Sequence, residues 1–409
     1  MFAELRCLTG CDVHLALTEP TFRCPRCGGL LDVAHDLDAL AETSAETWKQ
    51  RFAERRVGPA PLSSGVWSKR EWVAPMVTED AIVSMDEGHS TLLPAARYGT
   101  AIGVPKLSLK LCGNSHTGSF KDLGMTVLVS VVQHGLATGA LDRSRFRALA
   151  CASTGDTSAA LAAYGAAAGL PVVVLLPRGK ISTAQLVQPI AAGATVLALD
   201  TDFDGCMEII DQLAQAGVIC LANSMNALRI EGQKTVVIEI CQQLGWRAPD
   251  FLVLPSGNLG NGYAMYAGFR MLTSLGLVER MPRLVLAQAA NANPLYRAHV
   301  AGKQEVEAVA AKPTAASAIQ IGNPVSAPRA MRAIAAMDGI VEQASEDELA
   351  EAAAAADRTG LYICPHTAVA LAVTQKLAAK GTIGSDDEVV VVSTANALKF
   401  TEFKVKYHE

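Results

Sequence analysis

Short apolar runs alternate with longer stretches of helical character along the chain from Ser84 onward. The runs are rich in β-branched residues and are bounded by glycine, proline and polar residues, which is typical of strands buried on both faces of a sheet. Strands that alternate with helices in this way form parallel sheets covered by helices. The predicted strands are Lys106–Lys110, Arg147–Ala152, Pro171–Leu176, Thr195–Leu199, Val218–Leu221, Phe251–Leu254, Arg283–Ala287 and Val389–Val392.

Helices are predicted between these strands and also before them. Residues 36–60 are predicted to be helical because Trp48 and Phe52, four positions apart, share one helix face, and Pro59 and Pro61 then mark a linker. The pattern as a whole predicts an α/β fold with two open, mostly parallel sheets covered by helices. The other predicted helices are Leu123–Val132, Ala159–Ala168, Tyr263–Leu272 and Glu348–Ala356.

Composition excludes some functions. The 409 residues are 50% hydrophobic and carry a formal net charge of −5 without a basic block, so nucleic-acid binding gets no support. No apolar stretch reaches the length of a membrane span, and the first residues resemble neither a signal peptide nor a transit peptide. Ten cysteines in a chain of this length fit a reducing compartment. The sequence therefore predicts a cytoplasmic protein that binds no nucleic acid and no membrane.

Four of the ten cysteines fall at the start of the chain. Cys7 and Cys11 form one close pair, and Cys24 and Cys27 form a second pair after twelve intervening residues. This is the spacing of a zinc ribbon, and Gly28 would let backbone N–H groups turn toward a thiolate. The alternative is a small unmetallated subdomain whose thiols are buried because cysteine packs well. Four thiolates would make a closed site, so the predicted zinc is structural.

One lysine stands at the end of a short polar turn, in the segment His116–Asp122, where the next predicted helix begins. A partly desolvated lysine amine loses its proton more readily than a solvated one, and it can hold an aldehyde cofactor as a Schiff base. Lys121 is therefore a candidate catalytic residue. The alternative is a solvated lysine near a helix N-terminus, where the helix dipole does not favour a cation.

A second polar turn, Ser256–Gly262, follows the predicted strand Phe251–Leu254 and precedes a predicted helix. Backbone N–H groups at such a junction point at a phosphate. No lysine follows the glycines as it does in a nucleoside-triphosphate loop, and the dinucleotide fingerprint is missing. Turns also use glycine and asparagine for steric reasons, so this turn alone is a weak indication.

Polar residues follow two more of the predicted strands. The segment Ser153–Ser158 lies between Arg147–Ala152 and a predicted helix, and Ser393–Asn396 follows the valine run. The carboxyl ends of parallel strands are where α/β proteins bind ligands. Both segments are therefore candidate ligand contacts.

Taken together in chain order, these segments resemble the corresponding segments of the pyridoxal-phosphate enzymes of the tryptophan-synthase-β family. The enzymes of that family have the fold called type II. Within that family they are most similar to the plant-type threonine synthases. The resemblance covers roughly residues 60–409, and it includes further matching stretches at Leu221–Arg229, Ala287–Tyr296 and Ile363–Thr367.

The resemblance implies pyridoxal 5′-phosphate as the cofactor, with Lys121 as the residue that binds it and moves protons. Thr394 is implied to face the pyridine nitrogen, where a hydroxyl leaves the ring neutral and limits side reactions such as transamination. The other implied cofactor contacts are Phe120, Asp156, Gly257, Asn258, Leu259, Gly260 and Asn261. The implied substrate contacts are Ser153, Thr154, Asn223, Ser224 and Arg229, of which the last three match positions that bind the substrate phosphate.

Plainer roles are open for several of these residues. Arg229 can be a surface residue paired with Glu231 or another carboxylate, because most arginines are exposed. Other plain roles are core packing for Phe120 and Cys112, helix N-capping for Asp156, a backbone hydrogen bond for Thr394, and capping or packing for His366.

The reaction that the resemblance implies is the conversion of O-phospho-L-homoserine and water to L-threonine and phosphate, by γ-elimination and β-hydration. The main alternative is cysteate synthase, a relative that joins phosphoserine to sulfite. A threonine dehydratase is a weaker alternative, because it needs no phosphate-binding arginine. A non-catalytic zinc-ribbon binding protein is the alternative from another class. The implied partner is the small-molecule substrate, and a homodimer is the family expectation.

The chain is predicted to consist of four parts. Residues 1–35 are a zinc-ribbon-like segment and residues 36–83 a helical linker. Residues 84–122 together with 232–409 form a large cofactor-binding domain, and residues 123–231 form a smaller substrate-side domain.

Overall fold

The computed structural model describes residues 2–153, 155–178 and 183–408. The strands are β1 (Ala3–Cys7), β2 (His14–Ala16), β3 (Leu31–His35), β4 (Leu92–Pro94), β5 (Leu107–Leu111), β6 (Ala148–Ala152), β7 (Val172–Pro177), β8 (Thr195–Leu199), β9 (Ile219–Leu221), β10 (Phe251–Pro255), β11 (Arg283–Ala289), β12 (Ile340–Ala344) and β13 (Val389–Ser393).

The α-helices are α1 (Leu37–Ala41), α2 (Ala45–Arg56), α3 (Arg70–Val73), α4 (Ala96–Ala101), α5 (Lys121–Thr138), α6 (Asp156–Ala167), α7 (Thr183–Ala191), α8 (Phe203–Gln215), α9 (Leu228–Gln233), α10 (Thr235–Gln243), α11 (Gly260–Ser274), α12 (Pro294–Val300), α13 (Ala327–Ala336), α14 (Glu346–Asp357), α15 (Pro365–Ala379) and α16 (Thr401–His408). Short 3-10 helices lie at Trp67–Lys69, Glu79–Ala81, Ala290–Ala292, Ser317–Ile319 and Ala397–Phe400. Among the described residues, no helix combines the length and the apolar character that crossing a membrane requires.

The chain folds into two compact units, each made of two segments. The first unit contains Met1–Gly88 and Lys121–Thr235, and the second contains His89–Phe120 and Val236–Glu409. The four domains expected from the sequence have different boundaries, and those boundaries stay a prediction.

A six-stranded sheet forms the centre of the second unit. Its strand order is β12-β11-β10-β13-β5-β4, and its neighbours are parallel except for the antiparallel pair β4–β5. The four valines of β13 are almost fully buried between β10 and β5. A central parallel strand is covered on both faces, which is why its sequence shows a continuous apolar run instead of alternation.

The first unit contains two sheets. One is parallel with the order β8-β7-β6-β9, and the other is antiparallel with the order β2-β1-β3 and carries the N-terminal cysteines. The predicted fold class, two mostly parallel sheets covered by helices with a small cysteine-rich segment, is confirmed.

Each of the eight predicted strands is present, with bounds that differ by at most two residues. The sequence prediction missed the three N-terminal strands and both edge strands of the six-stranded sheet, β4 and β12, of which β12 has glutamate and glutamine among its five residues. Edge strands are half solvated and therefore lack the apolar run that revealed the central ones. The predicted helical segment 36–60 contains α1 and α2, and the rings of Trp48 and Phe52 stack with centroids 5.7 Å apart.

Helices α5 and α9 of the first unit cross at very short distance because glycines line the contact. A Cβ on Gly232 would lie 1.6 Å from the carbonyl oxygen of Leu123, and a Cβ on Gly124 would lie 2.8 Å from the carbonyl oxygen of Arg229. Both obstacles are backbone atoms, so neither can be moved by a rotamer change. The crossing therefore fixes the backbone of α9 against the first turn of α5.

Gly232→Ala is expected to lower the free energy of unfolding by about 3 kcal/mol, because one of the two helices must shift to admit a methyl group. Gly384→Ala is the control, since its Cβ would meet only the Asp387 carboxylate at 3.5 Å, and its effect should stay within about 0.5 kcal/mol. Denaturant unfolding of both variants measures the difference. Equal midpoints for the two variants would show that the helices can separate at no cost.

Candidate active site

Polar residues meet at one edge of the parallel sheet in the first unit. Strands β6 and β9 are parallel neighbours with Ala150 opposite Leu221, so the residues after each strand emerge side by side. The Asn223 amide joins the two segments, because its Oδ1 accepts the N–H of Ala152 at 3.0 Å and its Nδ2 donates to the Ala152 carbonyl at 2.9 Å. Asn223 therefore keeps at most one N–H for a ligand.

Lys121 is the first residue of α5, and its Nζ lies 3.2 Å from Oδ2 of Asp156, the first residue of α6. The side chains of Lys121 and Asp156 are 18% and 5% exposed. A solvated surface lysine, the plainer interpretation, does not fit this burial. The N-cap of α6 is Gly155 without a side-chain cap bond, so the carboxylate of Asp156 faces the lysine instead of capping its own helix.

Arg229, in α9, is 2% exposed. Its Nη1 donates to the carbonyl of Ala222 at 3.1 Å, and its Nε has no hydrogen-bond partner among the residues that the structure describes. In the part of the chain that the structure describes, no carboxylate lies within ion-pair distance of it. Burial lowers the pKa of this guanidinium to about 10. A cation held in this way favours an anionic ligand, and the surface salt-bridge interpretation does not hold.

The smaller polar groups of the first unit lie near the strand ends. Ser153 and Ser224 are half-buried, and the hydroxyl of Ser153 accepts the N–H of Gly155 at 3.2 Å. Thr154, the remaining predicted substrate contact, lies outside the described residues.

In the second unit, the glycine-rich turn forms a cradle of backbone N–H groups. The turn follows β10 and leads into α11, where Leu259 adopts the left-handed conformation with φ 68°. A Cβ on Gly257 would lie 2.7 Å from Cα of Ile319, so only glycine fits there. Within the described residues, the N–H groups of Gly257, Asn258 and Leu259 donate no hydrogen bond, while the Asn261 amide fixes the turn by donating to the Pro255 carbonyl at 2.7 Å.

Thr394 follows β13, which lies beside β10 in the sheet. Its carbonyl accepts the N–H of Phe120 at 2.9 Å. The residue is 6% exposed, and its hydroxyl makes no hydrogen bond within the described part of the chain. The next residue, Ala395, is packed so closely that a Cβ on Gly113 would lie 2.2 Å from its carbonyl carbon. The backbone from Gly113 to Phe120, which leads to Lys121, is therefore closely packed against the end of β13.

The four N-terminal cysteines form one cluster. The Sγ atoms of Cys7, Cys11, Cys24 and Cys27 all lie within 4.8 Å of one another. Tetrahedral zinc with Zn–S bonds of about 2.3 Å requires sulfur separations of about 3.8 Å, so the cluster has the right size. Backbone N–H groups of Arg26 and Gly29 approach the sulfurs of Cys24 and Cys27 at 3.4 Å, as the Cys-Pro-Arg-Cys-Gly turn predicts.

The thiols of this cluster differ in acidity. Burial opposes ionisation of Cys7, but hydrogen bonds from Thr9 and neighbouring backbone outweigh it and lower the Cys7 pKa to about 6. The Thr9 hydroxyl also lowers the pKa of Cys27, whereas the contact with Cys27 raises the pKa of Cys11 to about 12. Thiolates form readily at part of the cluster, and thiolate is the form that binds metal.

Other polar candidates have packing roles. His366 Nε2 accepts the N–H of Ala318 at 3.0 Å, and its ring lies edge-on to Phe400. Gln288 Oε1 accepts the N–H of Tyr296. Burial raises the pKa of the Cys112 thiol to about 11, which fits packing and not nucleophilic chemistry.

The structure also shows a buried ion pair that the sequence did not indicate. Lys110 Nζ lies 2.7 Å from Glu239 Oε2 and donates to the Ser90 carbonyl, and the Glu239 carboxylate accepts the backbone N–H groups of His89 and Ser90. Lys110 lies on β5, which leads into the polar turn before Lys121. Lys110 is fully buried against Glu239 of α10 and the Ser90 carbonyl, and these long-range contacts leave no signal in the sequence of β5.

These residues fit pyridoxal phosphate. The N–H cradle at residues 257–259 suits a phosphate, the Thr394 hydroxyl suits a neutral pyridine nitrogen, and Lys121 is a largely buried amine. The loop contains no lysine or arginine, so phosphate would be bound there by backbone dipoles alone.

Comparison with known proteins agrees with this fit. The family described as "Pyridoxal-phosphate dependent enzyme" matches residues 83–395. The chain is 54% identical over 392 residues to threonine synthase 2, chloroplastic, of Arabidopsis thaliana. This match covers 93% of this chain and 74% of that protein. It is 34% identical to the threonine synthase of Methanocaldococcus jannaschii, over 99% of this chain and 95% of that protein. The crystal structure of threonine synthase from Escherichia coli has the same fold, with a TM-score of 0.71 at 20% identity. The superposition covers 99% of this chain and 91% of the Escherichia coli chain.

Arg229→Met is expected to stabilise the protein in the absence of phosphate by about 1–3 kcal/mol, because it removes a buried cation that has no carboxylate partner. In the holoenzyme, where the cofactor fills the backbone cradle, inorganic phosphate should raise the melting temperature of the wild type and leave that of the variant unchanged. The exposed Arg143 provides the control, and Arg143→Met should alter neither quantity. A destabilised Arg229→Met that still responds to phosphate would show that the guanidinium has a structural role.

Proposed function

Because this chain belongs to the pyridoxal-phosphate-dependent enzymes, and within them to the threonine synthases, we propose that its reaction is the conversion of O-phospho-L-homoserine and water to L-threonine and phosphate. The observation that carries this assignment is the guanidinium of Arg229, which is buried in the same unit as Lys121 and has no carboxylate within ion-pair distance among the described residues. The cofactor phosphate uses the backbone cradle at residues 257–259. The substrate brings a second phosphate, and that phosphate needs a site of its own.

The bound cofactor supplies an electron sink for the carbanion that forms when the substrate loses its α-proton. Lys121 would hold the cofactor through its Nζ, and its amine would remove the α-proton of the substrate and move a proton at the β-carbon. Asp156 keeps the amine in place through the 3.2 Å contact. Phe120 and Thr394 are assigned to the cofactor ring, and Gly257, Asn258, Leu259, Gly260 and Asn261 to its phosphate.

Arg229 is assigned to the substrate phosphate, together with Asn223 and Ser224. A guanidinium can donate two parallel N–H bonds to a phosphate, which fixes the orientation of the leaving group as well as its charge. The free Nε of Arg229 is available for one of them. Ser153 and Thr154 are assigned to the rest of the substrate.

The alternatives are distinguished by different features. Cysteate synthase would also use a phosphorylated substrate, so Arg229 fits both reactions and the products must separate them. A threonine dehydratase would leave the buried cation of Arg229 uncompensated, which is costly. A non-catalytic zinc-ribbon protein would have no need of a largely buried lysine–carboxylate pair at Lys121 and Asp156.

Structural zinc in the cluster of Cys7, Cys11, Cys24 and Cys27 is part of the same proposal. It is supported by the separation of the four sulfurs and by the lowered pKa of Cys7 and Cys27. The expectations of a cytoplasmic location and of a homodimer stay predictions.

The proposed reaction is tested by product analysis with two substrate sets in parallel. With O-phosphohomoserine the holoenzyme should release phosphate and threonine in equal amounts, and with phosphoserine plus sulfite it should release none. Lys121→Ala should reduce turnover by about a thousandfold or more, since it removes the proton-transferring group. Borohydride reduction and mass spectrometry should place the cofactor on Lys121 in the wild type.

Two results would contradict this assignment. Cysteate formed from phosphoserine and sulfite would favour the rival synthase, and a cofactor adduct on a different lysine would remove Lys121 from the reaction. Lys399→Ala is a matched control, because Lys399 is another partly buried lysine, whose Nζ donates to the Thr117 carbonyl, and adduct formation should survive its loss.

Metal analysis of protein purified without chelator should find about one zinc per chain if all four cysteines are ligands. Cys24→Ser should lose that metal and lower the melting temperature, while the visible absorbance of the bound cofactor remains. Cys220→Ser, which alters a half-buried thiol outside the cluster, should keep the zinc. A zinc-free wild type as stable as the metal-loaded protein would support the unmetallated alternative.

A further inference from the structure

Three ionisable side chains form a buried cluster next to Arg229 in the first unit. His35, Glu231 and Lys234 have side chains that are 4%, 2% and 1% exposed. Glu231 Oε2 contacts both His35 Nε2 and Lys234 Nζ, and the two nitrogens are 3.0 Å apart. Burying such a group costs free energy, and replacing it with apolar residues is often neutral or stabilising. Its presence beside the proposed substrate site therefore needs an explanation other than stability.

The cluster connects two elements that are far apart in sequence. Glu231 lies on α9, two residues after Arg229, and Lys234 is the C-cap of that helix. His35 is the last residue of β3, the strand that pairs with β1 so that Leu31 lies opposite Cys7. A single imidazole thus links the cysteine-rich sheet to the helix that carries Arg229.

Helix α9 depends on its neighbours for its position. It has six residues, and so short a helix has little stability of its own. On the α5 side it is fixed by the close contacts of Gly232 and Gly124. The contact of Glu231 with His35 fixes it from β3. The α5 crossing sets the distance between the two helices, whereas the His35 contact restrains the rotation of α9, so displacement of Glu231 would let α9 rotate and reorient the Arg229 side chain.

The cluster also controls the charge near Arg229. Burial alone would raise the pKa of Glu231, but Lys234 and His35 outweigh it and lower that pKa, so Glu231 is a carboxylate at neutral pH. Residues two positions apart on a helix point to different sides, and the Glu231 carboxylate faces His35 and Lys234. The charge of Glu231 is therefore balanced on its own side of α9, and among the described residues Arg229 has no carboxylate within ion-pair distance.

We propose that His35 and Lys234 are positioning residues for Arg229, which hold Glu231 and thereby α9 in the orientation in which Arg229 can bind the substrate phosphate. The inference rests on the proposed function, because it takes Arg229 as the phosphate ligand. It adds a role for the cysteine-rich sheet, which supplies His35 to the substrate site without touching the substrate.

The test compares two variants. The leucine of His35→Leu fills the space but donates no hydrogen bond, whereas the amide of His35→Gln can donate a hydrogen bond to Glu231. The holoenzyme is used, so that the backbone cradle is filled by the cofactor, and inorganic phosphate is the probe in calorimetry. His35→Leu is expected to raise the Kd of phosphate and the KM of O-phosphohomoserine about tenfold, while kcat changes less than threefold and the cofactor absorbance is unchanged. His35→Gln should restore most of the affinity.

Two further variants make the result specific. His14→Ala removes a half-exposed imidazole from the same antiparallel sheet and should leave phosphate affinity unchanged. Lys234→Met removes the second partner of Glu231 and should weaken phosphate binding as His35→Leu does. It also provides an independent measurement if His35→Leu does not fold.

The failure of this inference can be distinguished from the failure of the proposed function. If Arg229→Ala weakens phosphate binding but His35→Leu and Lys234→Met stay within twofold of the wild type, the positioning role is overturned and the proposed phosphate site stands. If Arg229→Ala itself leaves the Kd of phosphate unchanged, the phosphate site is wrong and the positioning role is overturned with it. A loss in kcat without a change in the Kd of phosphate would indicate a purely structural role for His35.

Discussion

The contact between α5 and α9 is the constraint on which the chemistry of the first unit depends. Gly124 and Gly232 let the two backbones approach until only a hydrogen atom fits between them. Lys121 begins one of these helices and Arg229 lies in the other. The distance between the two helix backbones that carry the amine and the guanidinium is therefore fixed by backbone contact, and the contact of His35 with Glu231 adds a second constraint on α9. The proposed roles of Lys121 and Arg229 rely on these constraints.

In the proposed reaction, the cofactor phosphate and the substrate phosphate are bound by different kinds of group. The turn at residues 257–259 offers backbone N–H groups and no cation, and its geometry is set by the left-handed Leu259 and by the close approach of Ile319 to Gly257. Such a site binds a permanent group through fixed dipoles. Arg229 instead offers a full charge, which suits a phosphate that must be bound, oriented and released in each turnover. The difference in chemistry lets one chain keep its cofactor and exchange its substrate.

Two groups of buried charges lie on elements that carry or lead into candidate site residues. Lys110 with Glu239 supports the strand that leads to the polar turn, and the cluster of His35, Glu231 and Lys234 adjoins Arg229. Each pair is expensive to desolvate and strongly directional once formed. From their locations we infer that these buried charges fix the geometry of functional groups.

The sequence by itself determined the fold class, the strand order along the chain and the turns that carry the chemistry, because buried parallel strands and glycine-rich junctions have strong local patterns. Lys121, the phosphate turn and the cysteine pairs could be identified from those patterns and from the family resemblance. Only the tertiary structure decided that Arg229 is buried without a carboxylate, that Lys110 is not exposed, and that His35 reaches Glu231. Burial and long-range pairing depend on which element packs against which, and 196 positions separate His35 from Glu231. No local pattern spans such a distance.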